Sequence, residues 1–457
     1  MRLNWSEIKL LLLLSLPLVA GQLAQTGMGV VDTMMAGSVS KLDLAGVALG
    51  SAVWLPTFLF MSGVLLALTP SIAQSVGKND RSAVKLNLMQ GIWLSIILTG
   101  LTLAILLSSS YWMTFFKLEA AVYRIAVDYI MALSWGVLPA LLFQVVRFFH
   151  EAHGLTKMTM YLSFLGFILN IPLNALFVYG YGPIPAMGGV GCGFATSVVY
   201  LGMAVVGWWL YWLHPQYQLY HQKARLWRLP EWKRLSQLLG VGVPIGWAIL
   251  FEVGLFTFIA FLATPLGTDA LAAHQVAISF TALIFMLPLS LAMALTIRVG
   301  QLKGAGEDRK LLVSIQSALW IAIGLGAGIA FLTWLFAEKI VALYTQDTSV
   351  VTLAITLFWM AALYQISDAI QVTCAGALRG IGDTASVMWV TLVSYWGIGL
   401  PVGYYLCYGA WSSDSGVWLG ITGFWLSFVI GLSIAAIGLG WRVYTQFFRI
   451  SRSVLAG

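Results

Sequence analysis

Twelve times along this chain an apolar run too long for an ordinary soluble element is closed by a short polar break. The runs cover residues 8–36, 44–74, 86–109, 121–149, 157–180, 189–213, 235–264, 270–300, 311–337, 349–377, 384–408 and 417–445. A bilayer crossing takes about 20 apolar residues. In hydrocarbon only helices and closed barrels satisfy the backbone, and continuous runs without two-residue alternation mean helices. Several runs exceed the minimum, which implies tilt or protruding ends. Charged residues are 9% of the chain, where a soluble domain carries about 25%. That is too few to clothe a surface in water. The expected fold is an all-α polytopic membrane protein with twelve transmembrane helices. The first run, with Arg2 and Lys9 ahead of its leucines and Ala20-Gly21 after them, has the outline of a cleaved leader. It continues to Ala36, well past a leader's apolar core, and is read as the first span.

The net charge of +7 follows from topology. With the amino terminus placed inside, 20 of the 24 Lys and Arg residues fall in inner breaks, and only Lys41, Lys117, Arg124 and Lys339 fall outside. This asymmetry satisfies the positive-inside rule. It puts both termini in the cytoplasm and removes the case for nucleic-acid binding.

The longest inner break, His214 to Arg234, holds five of the basic residues and divides the chain. The division gives a first lobe over 1–213, a linker over 214–234 and a second lobe over 235–457, six spans in each. A shift of 227 residues sets Pro17 on Pro244, Gly27 on Gly254, Leu44-Ala45 on Leu271-Ala272, Phe58 on Phe285, Gln74 on Gln301 and Gly77 on Gly304. Six is even, so both repeats insert the same way up, related by an axis along the membrane normal.

Most acidic residues lie in breaks or at span ends. Asp32, Glu252 and Asp368 lie within spans. A charge at mid-membrane costs about 2.5–3.5 kcal/mol on insertion scales. Arg147 and Arg379 sit near inner ends and are poor partners at mid-depth. Either the carboxylates hold a proton or Na⁺ in a polar cavity, or they are protonated acids hydrogen-bonded to a neighbouring helix. Tyr364 and Asp368 stand four residues apart on one helical face, as do Asn170 and Asn174 around Pro172. Carboxylate, amide and phenol oxygens are hard donors, suited to Na⁺; an Asn pair also serves as interhelical glue. Pro17, Pro172, Pro244 and Pro401 each free a backbone carbonyl and permit a bend, for gating or for packing.

Other features carry less. Cys192, Cys374 and Cys407 lack C-x-x-C spacing and read as packing. His150 and His153 lack a third metal ligand, and His274 reads as a satisfied buried histidine. GVGCG at 189–193 and GLGAG at 324–328 follow no strand and read as close helix contacts. There is no Walker phosphate loop. The Asp-rich metal motifs of a membrane-embedded prenyltransferase are absent too, so no enzyme chemistry and no cofactor are expected.

GVVDTMMAG at 29–37, NIPLN at 170–174, GGVGCGFAT at 188–196, LAAHQVA at 271–277, RVGQLKG at 298–304, ALRGIGD at 377–383 and SYWGIGLPVGY at 394–404 together resemble the multidrug and toxic compound extrusion family, in particular its bacterial NorM-type branch. The resemblance covers essentially the whole chain. It implies two pseudo-symmetric six-helix lobes and export of organic cations (drugs and dyes, with fluoroquinolones a candidate class) in exchange for Na⁺ or H⁺ by alternating access. It also implies a bacterial inner membrane, lipid as the surrounding partner and a working monomer. By position it makes Asp32, Asn170 and Asn174 a proton or cation site of the first lobe. It makes Glu252, Tyr364 and Asp368 a Na⁺ site of the second. Lys303 is a departure, since the family often carries a small residue there. A flippase for lipid-linked precursors on a related two-lobed fold is the alternative; it would need mid-span Lys or Arg for pyrophosphate, and none is visible.

Overall fold

The computed structural model describes residues 4–116, 118–221, 229–409 and 419–456. Arg2, Lys117, Lys223, Arg225 and Arg228, which entered the charge count, lie outside the described residues. Among the described residues there is no strand, only one isolated bridge between Tyr181 and Ile184. Eleven helices are long and apolar enough to cross a membrane, and a bent pair supplies the twelfth.

In chain order they are α1 (Trp5–Val39), α2 (Lys41–Gly77), α3 (Arg81–Phe115), α4 (Ala120–Ser134 with Val137–Ala152, bent by 49°), α5 (Thr156–Tyr179), α6 (Val190–Leu213), α7 (Trp232–Leu262), α8 (Thr268–Ala305), α9 (Asp308–Val341), α10 (Thr348–Ile381), α11 (Thr384–Tyr408) and α12 (Ile421–Gln446, continuing as helix to Ala456). Each coincides with one apolar run of the sequence. Polar residues in the breaks set the ends. Ser40 caps α2, its Oγ accepting from Asp43 N at 3.0 Å, and Asp80 caps α3 through Ala83 N at 3.0 Å. Gly306 and Gly382 end α8 and α10 in the left-handed conformation.

Small residues set the closest helix contacts. A Cβ on Gly191 would sit 2.6 Å from the Phe177 carbonyl carbon, and one on Gly326 would sit 3.0 Å from Ile366 Cα. GVGCG therefore acts as a close-contact surface, whereas in GLGAG only Gly326 does, and Gly324 and Gly328 meet nothing within 4 Å. The three cysteines are free and buried. Pro17, Pro172 and Pro244 lie inside helices, whereas Pro401 opens the helical turn that follows a π-helical stretch of α11.

The chain divides into two compact units. One comprises residues 16–246; the other joins residues 1–15 to residues 247–457. The boundaries fall inside α1 and α7, close to Pro17 and Pro244, and not at the 214–234 segment. Each of these two helices starts in one unit and finishes in the other. Glu7 shows the consequence: its carboxylate pairs with Arg298 of α8, at 2.6 Å to Nη2 and 3.2 Å to Nε, within a single unit.

Candidate functional sites in the two units

In the unit spanning 16–246, α1, α5 and α6 bring together one carboxylate and three donors. Asp32 is 8% exposed. Its Oδ1 accepts from Asn170 Nδ2 at 3.0 Å and from Asn174 Nδ2 at 2.7 Å, and its Oδ2 accepts from Thr196 Oγ1 at 3.0 Å. The four-residue spacing of the asparagines places both amides on the face of α5 that meets α1. All three partners donate, so the carboxylate is an acceptor at both oxygens. The carbonyl oxygens of Asn170 and Asn174 are buried and accept nothing. Thr196 was not singled out in the sequence, although it closes the GGVGCGFAT motif.

The same unit holds a buried ion pair. Arg147 Nε donates to Glu151 Oε1 at 2.8 Å, while Nη1 and Nη2 reach Gln25 Oε1 at 3.2 Å and Gln22 Oε1 at 2.9 Å. Gln25 in turn donates to Ser163 Oγ at 3.0 Å. Glu151 is 0% exposed. The Arg147 guanidinium is thus engaged by Glu151, Gln25 and Gln22 and not by Asp32.

His150 and His153 are tied to tyrosines and carbonyls. His150 Nδ1 lies 2.7 Å from Tyr217 Oη, and His153 Nε2 lies 3.0 Å from Tyr220 Oη. Among the described residues no group of three or more His, Cys, Asp and Glu side chains could hold a metal ion.

In the other unit, α7 and α10 bring Glu252 and Asp368 to one amide. Gln371 Nε2 lies 3.3 Å from Asp368 Oδ1 and 3.5 Å from Glu252 Oε1. Asp368 and Gln371 are buried and Glu252 is half-buried. Arg379, eleven residues after Asp368 on the same helix, is buried, and its Nε has no hydrogen-bond partner. Tyr364 is on the Asp368 side of α10, but its ring packs against Trp425 and Phe428. Its hydroxyl lies beside Thr281. Tyr364, Asp368, Gln365 and Thr281 line one small crevice. His274 Nδ1 accepts from Trp425 Nε1 at 3.1 Å, so this histidine is part of the packing.

A family profile described as MatE matches residues 17–176 and again 244–405. The chain belongs to the MatE family. The two matches begin at Pro17 and Pro244, the same pair that the 227-residue shift superposes, so the internal repeat coincides with the family unit. The multidrug resistance protein MdtK of Edwardsiella ictaluri (strain 93-146) is 41% identical over 450 residues, covering 97% of this chain and 96% of that one. MdtK of Yersinia pseudotuberculosis serotype O:1b (strain IP 31758) is 41% identical over 439 residues, covering 96% and 95%. Among solved structures, the eukaryotic MATE transporter AtDTX14 superposes with a TM-score of 0.86 at 20% identity, over 98% of this chain and 99% of that one. A MATE structure in the bent conformation gives 0.87 at 22% identity. These likenesses establish the fold: an all-helical, multi-pass MATE membrane protein, as its apolar runs imply.

Proposed function

We propose that this MatE protein is a secondary active antiporter of a bacterial inner membrane, exporting organic cations by alternating access in exchange for Na⁺ or H⁺. The observation that carries the reading is the convergence of Glu252 and Asp368 on one Gln371 amide. Two carboxylates that close, in a span, are hard to keep ionised together. A proton or a hard cation held by them relieves the repulsion, and oxygen donors favour Na⁺ over softer metals. Asp32 with Asn170, Asn174 and Thr196 is a second station for a proton or cation, in the other unit. Relatives named for multidrug resistance match over nearly the whole length, which supports drugs as cargo. The 20-to-4 distribution of basic residues supports cytoplasmic termini.

The energetics are consistent. Expelling one positive charge against 100 mV costs about 2.3 kcal/mol, and one entering cation returns as much. The ion gradient then drives export, at about 1.4 kcal/mol per tenfold.

The test is dye efflux from proteoliposomes under Na⁺ and proton gradients imposed one at a time. Efflux driven by either gradient is expected. Equal efflux with neither gradient would remove the antiporter reading.

A further inference from the structure

The crevice at Asp368 lies where α8, α9 and α10 meet, within one unit. It encloses about 20 Å³, and one water needs roughly 10–15 Å³. A water or a bare monovalent cation fits such a space, and an organic cation does not. Four of its lining side chains are polar, Thr281, Tyr364, Gln365 and Asp368, and the rest are apolar.

Two of these polar groups spend their protons elsewhere. Gln365 is buried, and its Nε2 donates to Thr333 Oγ1 of α9 at 3.1 Å. That bond fixes the amide, and its Oε1 is buried with no hydrogen-bond partner. An orphaned buried acceptor is an exception that calls for an explanation. Thr281 donates its hydroxyl proton to the Ile278 carbonyl at 3.2 Å, which leaves its oxygen as an acceptor. Pro288, inside α8, has no N–H to offer the Ile284 carbonyl one turn earlier, and both residues line the crevice. Amide, hydroxyl and backbone carbonyl thus join a carboxylate and a phenol around a space of one water's size. All five are hard oxygen donors. A water can donate to two of them, whereas a cation can engage all five.

We infer that Na⁺ rests in this crevice, where Gln365 Oε1, Thr281 Oγ1 and the Ile284 carbonyl complete a shell begun by Asp368 and Tyr364. The inference rests on the Na⁺ reading proposed above. It adds ligands from α8 to a site that helical spacing confines to α10, and gives Pro288 the task of freeing one of them.

The full-length protein in detergent is titrated with NaCl against KCl at constant ionic strength, with unfolding temperature as the readout. Gln365→Leu is expected to raise the half-saturating Na⁺ concentration roughly tenfold, the scale of one contact to a charge. Thr281→Val should raise it about threefold, and Asp368→Asn should abolish the response. Gln365→Glu keeps an oxygen in place and should leave the midpoint at or below that of wild type. A rise for Gln365→Glu as large as that for Gln365→Leu would mark a packing role and overturn the inference. An unchanged midpoint for Gln365→Leu, in a wild type that responds to Na⁺, also overturns it and leaves the antiporter reading standing. A wild type that ignores Na⁺ overturns the Na⁺ reading and the inference with it. Should Gln365→Leu unfold in KCl, Pro288→Ala decides. Alanine favours the helix and returns a donor to the Ile284 carbonyl, so the midpoint must rise, and an unchanged value overturns the inference.

Discussion

Glu252 and Asp368 belong to different helices and share one hydrogen-bond donor, Gln371 Nε2, at 3.5 and 3.3 Å. One amide nitrogen cannot neutralise two carboxylates. Coupling through this contact predicts that Glu252→Gln and Asp368→Asn each abolish ion-coupled efflux. The double variant should be scarcely worse than either alone, because groups acting as one site are non-additive. Efflux under separate Na⁺ and proton gradients, at matched expression, decides it. Cleanly additive losses would argue for two independent structural roles.

The three donors on Asp32 give a graded prediction. Asp32→Asn places a third amide among donors and removes an acceptor, so efflux should fall severely while membrane insertion is retained. Thr196→Val removes one donor of the three, worth about 1 kcal/mol, and should reduce efflux only a few-fold. Ethidium efflux in whole cells at equal protein level is the measurement. Full activity from Asp32→Asn would exclude this carboxylate from the transport cycle.

Arg147 is predicted to matter for stability more than for coupling. Arg147→Met would leave the Glu151 carboxylate buried and uncompensated, a loss of about 3–5 kcal/mol. Removing both charges, as Arg147→Met with Glu151→Leu, should recover most of it. Thermal unfolding in detergent distinguishes the two, and a single variant as stable as wild type would show that the pair is not needed.

Asp383, in the break between α10 and α11, gives a pH dependence. Burial alone would push its carboxyl up. Hydrogen bonds from Ser386, Arg442 and Gln446, with the Arg442 charge, outweigh burial and hold it below the usual carboxylate range. A depressed folded value means that the contribution is complete above the unfolded value, about 3.9, and is lost as pH falls through the folded one. Arg442 is partly exposed, so the contribution is on the order of 1 kcal/mol. Asp383→Asn should therefore unfold at a lower temperature than wild type at pH 7, and the gap should close below about pH 4. A gap that widens in acid would reverse the sign of the argument.

Hydropathy made all twelve spans legible, because lipid forbids the alternatives that blur soluble folds. The Asp32 cluster was legible as far as one helix could show it: the spacing of Asn170 and Asn174 is local, while Thr196 arrives from a helix whose rotation no spacing reveals. Tyr364 was legible in the same local way. Four residues place it beside Asp368 to within about 40°, and the two line one crevice, while the packing of its ring on Trp425 and Phe428 comes from another helix. Gln371 is different, because its chemistry appears only when α7 and α10 meet. Arg147 and Glu151 stand four residues apart on α4, so their pairing is local and legible, while the glutamines that complete the network come from α1.

The division of α1 bears on how the protein is made. Leu11 and Glu7 belong to the unit whose remaining residues start at 247. The first turns of the chain therefore leave the ribosome long before the helices they pack against, and wait while the whole of the other unit is synthesised. The unit that joins residues 1–15 to residues 247–457 cannot close its core until translation is far advanced. A gene cut in the 214–234 segment and expressed as two pieces would give each piece a few turns of helix whose packing partners reside on the other.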